Sequence, residues 1–224
     1  MSPRPYDLGR RQADIDEGRR RILDAARALL AESKSFTAFT VDAVAKRADV
    51  ARATVYYQFS SKTGLLEALC DDLAASGQME RLADAFAAPD PATGLELLVA
   101  AFAGFWDADR PAMRRLRALA ALDPGVASVI AARDQRRHQA ISALLERLGP
   151  TGRARGVQEE RARLVQLLYT LTSFETFDTL AGARTSIADV APQIEALATS
   201  ALAAALPGVR DDEVADADRG SASR

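Results

Sequence analysis

Between Thr40 and Lys62 the chain concentrates side chains that could recognise a nucleic acid: Thr40, Arg52, Ala53, Thr54, Tyr56, Tyr57, Gln58 and Lys62. Arg52 offers a planar fork of N–H donors that matches guanine O6 and N7, and Ala53 offers a methyl group to a thymine methyl. The Gln58 amide can meet a base or a phosphate. Thr40, Thr54, Tyr56, Tyr57 and Lys62 bring hydroxyl and ammonium donors suited to phosphate oxygens, contacts that set register on a duplex without reading its sequence. Plainer roles compete at each position. Thr40 can simply cap a helix, Thr54 can satisfy local backbone groups, and the tyrosines can pack. Arg10, Arg11 and Arg19 to Arg21 could reach phosphates or the minor groove, or form an ordinary solvated basic face.

Such chemistry needs a short helix braced by a second one, and the flanking sequence supplies both. Ile22, Leu23, Ala26, Leu29 and Leu30 repeat on one face of a helix expected over 19–32. Thr40 is placed to cap a helix over 41–48, with Asp42 complementing its positive end. After a break at 48–51, a third helix runs over 52–59. Val44, Ala45, Val50, Val55 and Phe59 can share one small core, which leaves Arg52, Ala53, Tyr56 and Tyr57 for the surface. The expected head is therefore a tri-helical helix-turn-helix over 19–66, preceded by a flexible basic arm over 1–18 that contains two early prolines. A fourth helix, expected over 63–82, joins it to a helical body over 67–207. Body helices are expected at 93–109, 111–121, 125–148, 156–181 and 189–206, separated by proline and glycine signals. Residues 208–224 read as a disordered tail. The fold class is all-α.

Composition fits this division. Among the 224 residues, Ala occurs 47 times and Arg outnumbers Lys 26 to 3, so helix formers dominate. Residues 1–66 hold 12 Lys/Arg against 8 Asp/Glu, whereas 67–224 hold 17 against 23, a basic head on an acidic body. The head is the part suited to a polyanion. One Cys and one His leave no disulfide framework and no Cys/His metal site. His138 reads as an exposed or structural residue and Cys70 as structural. No phosphate-loop or dinucleotide glycine pattern occurs, so nothing in the sequence points to catalysis or a cofactor. There is no apolar signal core at the start and no membrane-spanning run, and the expected location is the cytoplasm.

The runs RRRILDAARALLAE and FTVDAVAKRADVARATVYYQFSSKTGLLEAL resemble the DNA-binding head of the TetR family of bacterial transcriptional regulators. The likeness covers residues 19–69 and is densest over 40–62. It implies a homodimeric repressor, or less often an activator, with two recognition helices on a palindromic double-stranded operator. It assigns Thr40 to a cap and phosphate contact, Arg52 and Ala53 to the base-facing start of the recognition helix, Tyr56 and Tyr57 to DNA contact or its support, and Lys62 to a phosphate. Gln58 stands where such proteins often have histidine. Two departures matter. Ala51 replaces a common serine and removes a hydroxyl, and Asp49 replaces a turn glycine, although Asp tolerates left-handed angles.

Pairing two heads would place half-sites about one DNA turn apart, roughly 34–36 Å. Leu164, Leu167, Leu168 and Leu171 on one late helix, with Ile194, Leu197, Ala201 and Ala205 on the last, form stripes suited to a dimer clamp. Packing inside one chain accounts for the same stripes. The resemblance further implies that the body encloses a small-molecule effector. Phe102, Phe105, Trp106, Met113, Leu116, Tyr169, Phe174 and Phe177 are the candidate lining, favouring a largely hydrophobic ligand. A packed core is the competing reading. Control of the head without any small ligand is the alternative to effector release.

Overall fold

The computed structural model describes residues 5–32, 39–148 and 155–205. Within them the chain forms eleven helices and no strand, the all-α class expected: α1 Pro5–Glu32, α2 Val41–Ala48, α3 Arg52–Phe59, α4 Lys62–Ser76, α5 Leu82–Ala87, α6 Pro91–Ala108, α7 Arg110–Ala120, α8 Pro124–Leu148, α9 Arg155–Leu171, α10 Phe174–Ala181 and α11 Ile187–Ala205.

Several boundaries depart from the sequence expectation. Residues 5–18, read as a loose arm, are helical and continue into the expected first helix. Pro5 stands at the first helical position, where a missing N–H costs nothing. Beyond it, Gln12 donates to Asp16 at 2.9 Å and Arg20 pairs with Glu17, contacts at helical spacing. The fourth helix stops at Ser76 rather than at 82, because Gln78 takes left-handed angles (φ 55°, ψ 40°). A 3-10 turn at Met79–Arg81 takes the end of the expected fourth helix, and the short α5 fills part of the gap before the helix expected at 93–109. The helix expected over 156–181 is divided after Leu171. There Ser173 is extended (φ −72°, ψ 151°) and its hydroxyl accepts from the Thr176 N–H at 3.2 Å, capping a new helix. The expected tail lies outside the described residues.

The chain separates into two compact units, Met1–Gly77 with Ala108–Arg133, and Gln78–Asp107 with Asp134–Arg224. The first unit therefore takes in α7 and the start of α8, which the sequence reading assigned to the body. Its core contains Ile22, Leu30, Val44, Val55, Leu65, Leu66, Leu69 and Leu116, each at most 1% exposed. Arg27 on α1 reaches over to α7, where it pairs with Asp109. Asp109 also caps α7 by accepting from the Ala112 N–H at 3.0 Å. In the second unit Leu98, Ile141, Leu168, Phe177, Ile187 and Ile194 are fully buried. Burial of side chains of this size contributes about 1.5–3 kcal/mol each, before conformational entropy is set against it.

Candidate nucleic-acid interface

Thr40 enters α2 in extended conformation (φ −126°, ψ 157°), and its hydroxyl accepts from the Ala43 N–H at 3.1 Å. The other end of α2 turns through Asp49, which adopts left-handed angles (φ 53°, ψ 51°) in place of a glycine. There the Val50 N–H returns to the Ala45 carbonyl at 3.0 Å, closing the helix end. Arg21 on α1 donates to the Ala48 carbonyl at 2.7 Å, placing a cation at the negative end of α2. Arg19 donates to the Gln58 carbonyl at 3.1 Å, and its guanidinium lies 4.4 Å from the centre of the Phe59 ring. Both arginines thus brace the helix pair from α1. The side chains of Arg10 and Arg11 lie outside the described residues.

Ala51 begins α3 with no side-chain cap, the cost of the missing hydroxyl. Val55 and Phe59 are buried against the rest of the unit. The opposite face is open: Arg52 and Ala53 are exposed, as are Tyr56 at 39% and Tyr57 at 79%. Arg52 sits between two acceptors, with Nη1 3.2 Å from the Asp42 carboxylate and Nη2 3.3 Å from the Tyr56 hydroxyl. The Tyr56 hydrogen bond, and after it the charge of Asp42, hold the guanidinium above its ordinary pKa. It stays a cation at any working pH. Asp42 was legible only as a helix-end charge; its role beside Arg52 depends on how α2 and α3 cross.

Of the three other candidates, Gln58 and Lys62 are engaged inside the unit. Thr54 is half-buried near the start of α3. Gln58 is also half-buried, and its amide nitrogen lies 3.5 Å from the Ile15 carbonyl on α1. Lys62 places its Nζ 2.6 Å from Asp123, a residue sixty-one positions away that no local motif would single out. The α3–α4 turn depends on Gly64. A Cβ there would lie 2.1 Å from the Phe59 carbonyl oxygen, too close for any other side chain without a backbone shift. The sequence reading passed over this glycine, although SSKTG after a helical run signals a tight junction.

The family model for bacterial regulatory proteins of the tetR family matches residues 22–69, the segment that carries this geometry. Over those residues the chain is similar to the DNA-binding head of that family. No curated protein sequence matches the chain significantly. Solved structures do. A TetR-like transcriptional regulator from Rhodococcus sp. RHA1 is 24% identical with a TM-score of 0.58, the match covering 83% of this chain and 96% of that one. The transcriptional regulator FadR from Bacillus subtilis, in complex with stearoyl-CoA, is 17% identical with a TM-score of 0.52, covering 81% and 97%. A protein from Saccharomonospora viridis in complex with choline is 20% identical with a TM-score of 0.55, covering 83% and 95%. At these identities the likeness is one of fold.

The candidate effector residues are divided between the units. Met113 and Leu116 are buried in the first. Phe102, Phe105, Trp106, Tyr169, Phe174 and Phe177 belong to the second. There Trp106 contacts three rings, with centroids 6.3 Å from Phe102, 4.4 Å from Phe105 and 5.7 Å from Phe174. Phe177 is fully buried, while Phe105 and Tyr169 are half-buried. A polar seam adjoins this cluster. The Trp106 indole donates to the Thr172 carbonyl at 3.0 Å, Arg137 donates to the Tyr169 carbonyl and to the Thr172 hydroxyl at 3.2 Å, and its guanidinium lies 3.9 Å from the Tyr169 ring centre. These donors satisfy carbonyls left open where α9 ends, with the Arg137 charge at the negative pole of that helix. His138 packs edge-on to Tyr169 at 5.5 Å. Cys70 is buried in α4, and burial pushes its thiol up to about 11.

The two late stripes divide by burial. Leu164, Leu168, Ile194 and Ala205 face inward, in a unit where α9 packs against α11. Leu167 is 41% exposed and Leu197 54%, with Leu171 and Ala201 half-buried. Among the described residues, no group of three or more His, Cys, Asp or Glu could hold a metal ion, and no helix is long and apolar enough to cross a membrane.

Proposed function

We propose that this chain is a TetR-family repressor that binds a palindromic operator as a homodimer and is released by a small, largely hydrophobic effector. The single observation that carries the reading is the two-sided chemistry of α3: Val55 and Phe59 anchor it, while Arg52, Ala53, Tyr56 and Tyr57 remain exposed on a helix of groove-reading length. In this reading Arg52 and Ala53 read bases. Thr40, Thr54, Tyr56, Tyr57, Gln58 and Lys62 supply phosphate contacts or support them. The exposed Leu167 and Leu197 favour a second copy on α9 and α11, since large apolar groups at two adjacent helices are costly to leave in water.

Effector control draws support from the ligands held by the FadR and Saccharomonospora proteins and from the aromatic cluster around Trp106. Linkage supplies the mechanism: an effector must bind one conformation of the second unit better than another, and operator affinity then shifts by that difference. The close ring packing and near-complete burial of Phe102, Trp106 and Phe174 favour a second reading, regulation without a small ligand. Enrichment of duplexes from a random-sequence pool tests the DNA reading. A saturable preference for one palindromic sequence is the expected result, and equal affinity for scrambled duplex would overturn it. Screening hydrophobic compounds against that complex then tests control: release supports the effector reading, and unchanged affinity throughout the screen supports the second.

A further inference from the structure

Two cations of the expected DNA-contact set are held very differently. Arg52 and its partner Asp42 are both largely in water, with side chains 60% and 65% exposed. Lys62 and Asp123 form a tighter pair, 2.6 Å apart and only 38% and 32% exposed. Asp123 is itself fixed, since its other oxygen accepts from the N–H groups of Gly125 at 2.9 Å and Val126 at 3.2 Å at the start of α8. The Lys62 hydrogen bond, with these backbone donors, holds the Asp123 carboxyl below the usual carboxylate range, so it is charged at neutral pH. The same stretch of chain grips α4 again farther along. Arg133 donates to Asp71 at 2.5 Å and to the Glu67 carbonyl at 3.0 Å. Lys62 opens α4 directly after the recognition helix, so its ammonium is the point where this clamp and the expected phosphate contact coincide.

We propose that Asp123 sets DNA affinity by competing with a backbone phosphate for Lys62. The proposal rests on the reading of the first unit as a DNA-binding head. A phosphate can take the ammonium only by displacing the carboxylate or by approaching a group of like charge, and either lowers the gain from the contact. Asp123 is thus a built-in brake located outside the helix-turn-helix.

The test is a double-mutant cycle in the full-length protein with Lys62→Met, Asp123→Asn and both together. Binding to a duplex enriched on the wild-type protein is measured by fluorescence anisotropy at one fixed low salt concentration. Asn keeps an oxygen for the α8 amides; Asp123→Ser, which also caps, replaces it if circular dichroism shows a loss of folding. Asp123→Asn should tighten binding more when Lys62 is present than when it is Met, by roughly two- to five-fold, the range of a partly exposed ion pair. Equal tightening in both backgrounds would reduce Asp123 to a general charge effect and overturn the proposal. Unchanged or weaker binding of Asp123→Asn would also overturn it, leaving Asp123 a cap that positions Lys62. Lys62→Met binding as tightly as wild type would overturn it as well. Loss of sequence preference in Arg52→Ala, measured alongside, establishes the DNA-binding head independently, so failure of the competition and failure of that head are read from different variants.

Discussion

Replacing Arg52 with alanine separates base reading from general attraction to DNA. The side chain is 60% exposed and its contacts are confined to Asp42 and Tyr56, themselves on the surface, so the fold should not register its loss. On DNA the guanidinium fork would supply one bidentate guanine contact per recognition helix. Loss of such a contact weakens binding to the preferred duplex by roughly 5- to 150-fold per half-site, and two heads multiply the effect. Binding to scrambled duplex loses only one cation per head and should fall much less. The ratio of the two affinities is therefore the quantity to follow, by anisotropy at fixed salt, with thermal unfolding as the control for folding. Arg52→Lys refines the result. It keeps the charge but not the planar fork, so sequence preference should fall while scrambled-duplex affinity holds. A folded Arg52→Ala protein with its full sequence preference would refute the assignment of Arg52 to a base.

Gly64→Ala should destabilise the protein by about 2–3 kcal/mol in urea unfolding, because a Cβ 2.1 Å from the Phe59 carbonyl oxygen forces the α3–α4 backbone apart; a midpoint unchanged from wild type would contradict that geometry. Leu197→Glu, at a position 54% exposed, should leave helix content intact while weakening self-association by roughly a hundredfold in sedimentation. An unaltered oligomeric state would remove α11 from the interface. Cys70, held protonated up to about 11 from an ordinary value of 9.0, should resist alkylation at pH 8 until the protein unfolds. The folded value is the higher one, so its contribution is complete below pH 9 and fades as pH rises toward 11. That is a loss of about 2–3 kcal/mol, measurable as a falling urea midpoint over that window.

The helix-turn-helix was open to reading because its determinants are local. Thr40 three residues before the amide that donates to its hydroxyl, the left-handed Asp49, and the spacing of Val55 and Phe59 act within one or two turns, where helical periodicity alone assigns the faces. The break after Leu171 was also encoded locally, in Ser173 before Phe-Glu-Thr, but it was masked by the continuous apolar pattern on either side.

Other features depend on residues far apart in the chain. That Met113 and Leu116 join the first unit follows from α7 meeting α1, where Arg27 pairs with Asp109 across eighty-two positions. The assignment of Arg19 and Arg21 to bracing α3 and α2, and of Lys62 to Asp123, arises in the same way. Which leucines of the late stripes stay in water likewise depends on how α9 meets α11. Charge and periodicity state what a side chain can do and which way its helix presents it. The partner that takes up that capacity is chosen when helices distant in sequence pack, because a salt bridge or a buried face requires both members at contact distance, and only the fold sets that distance.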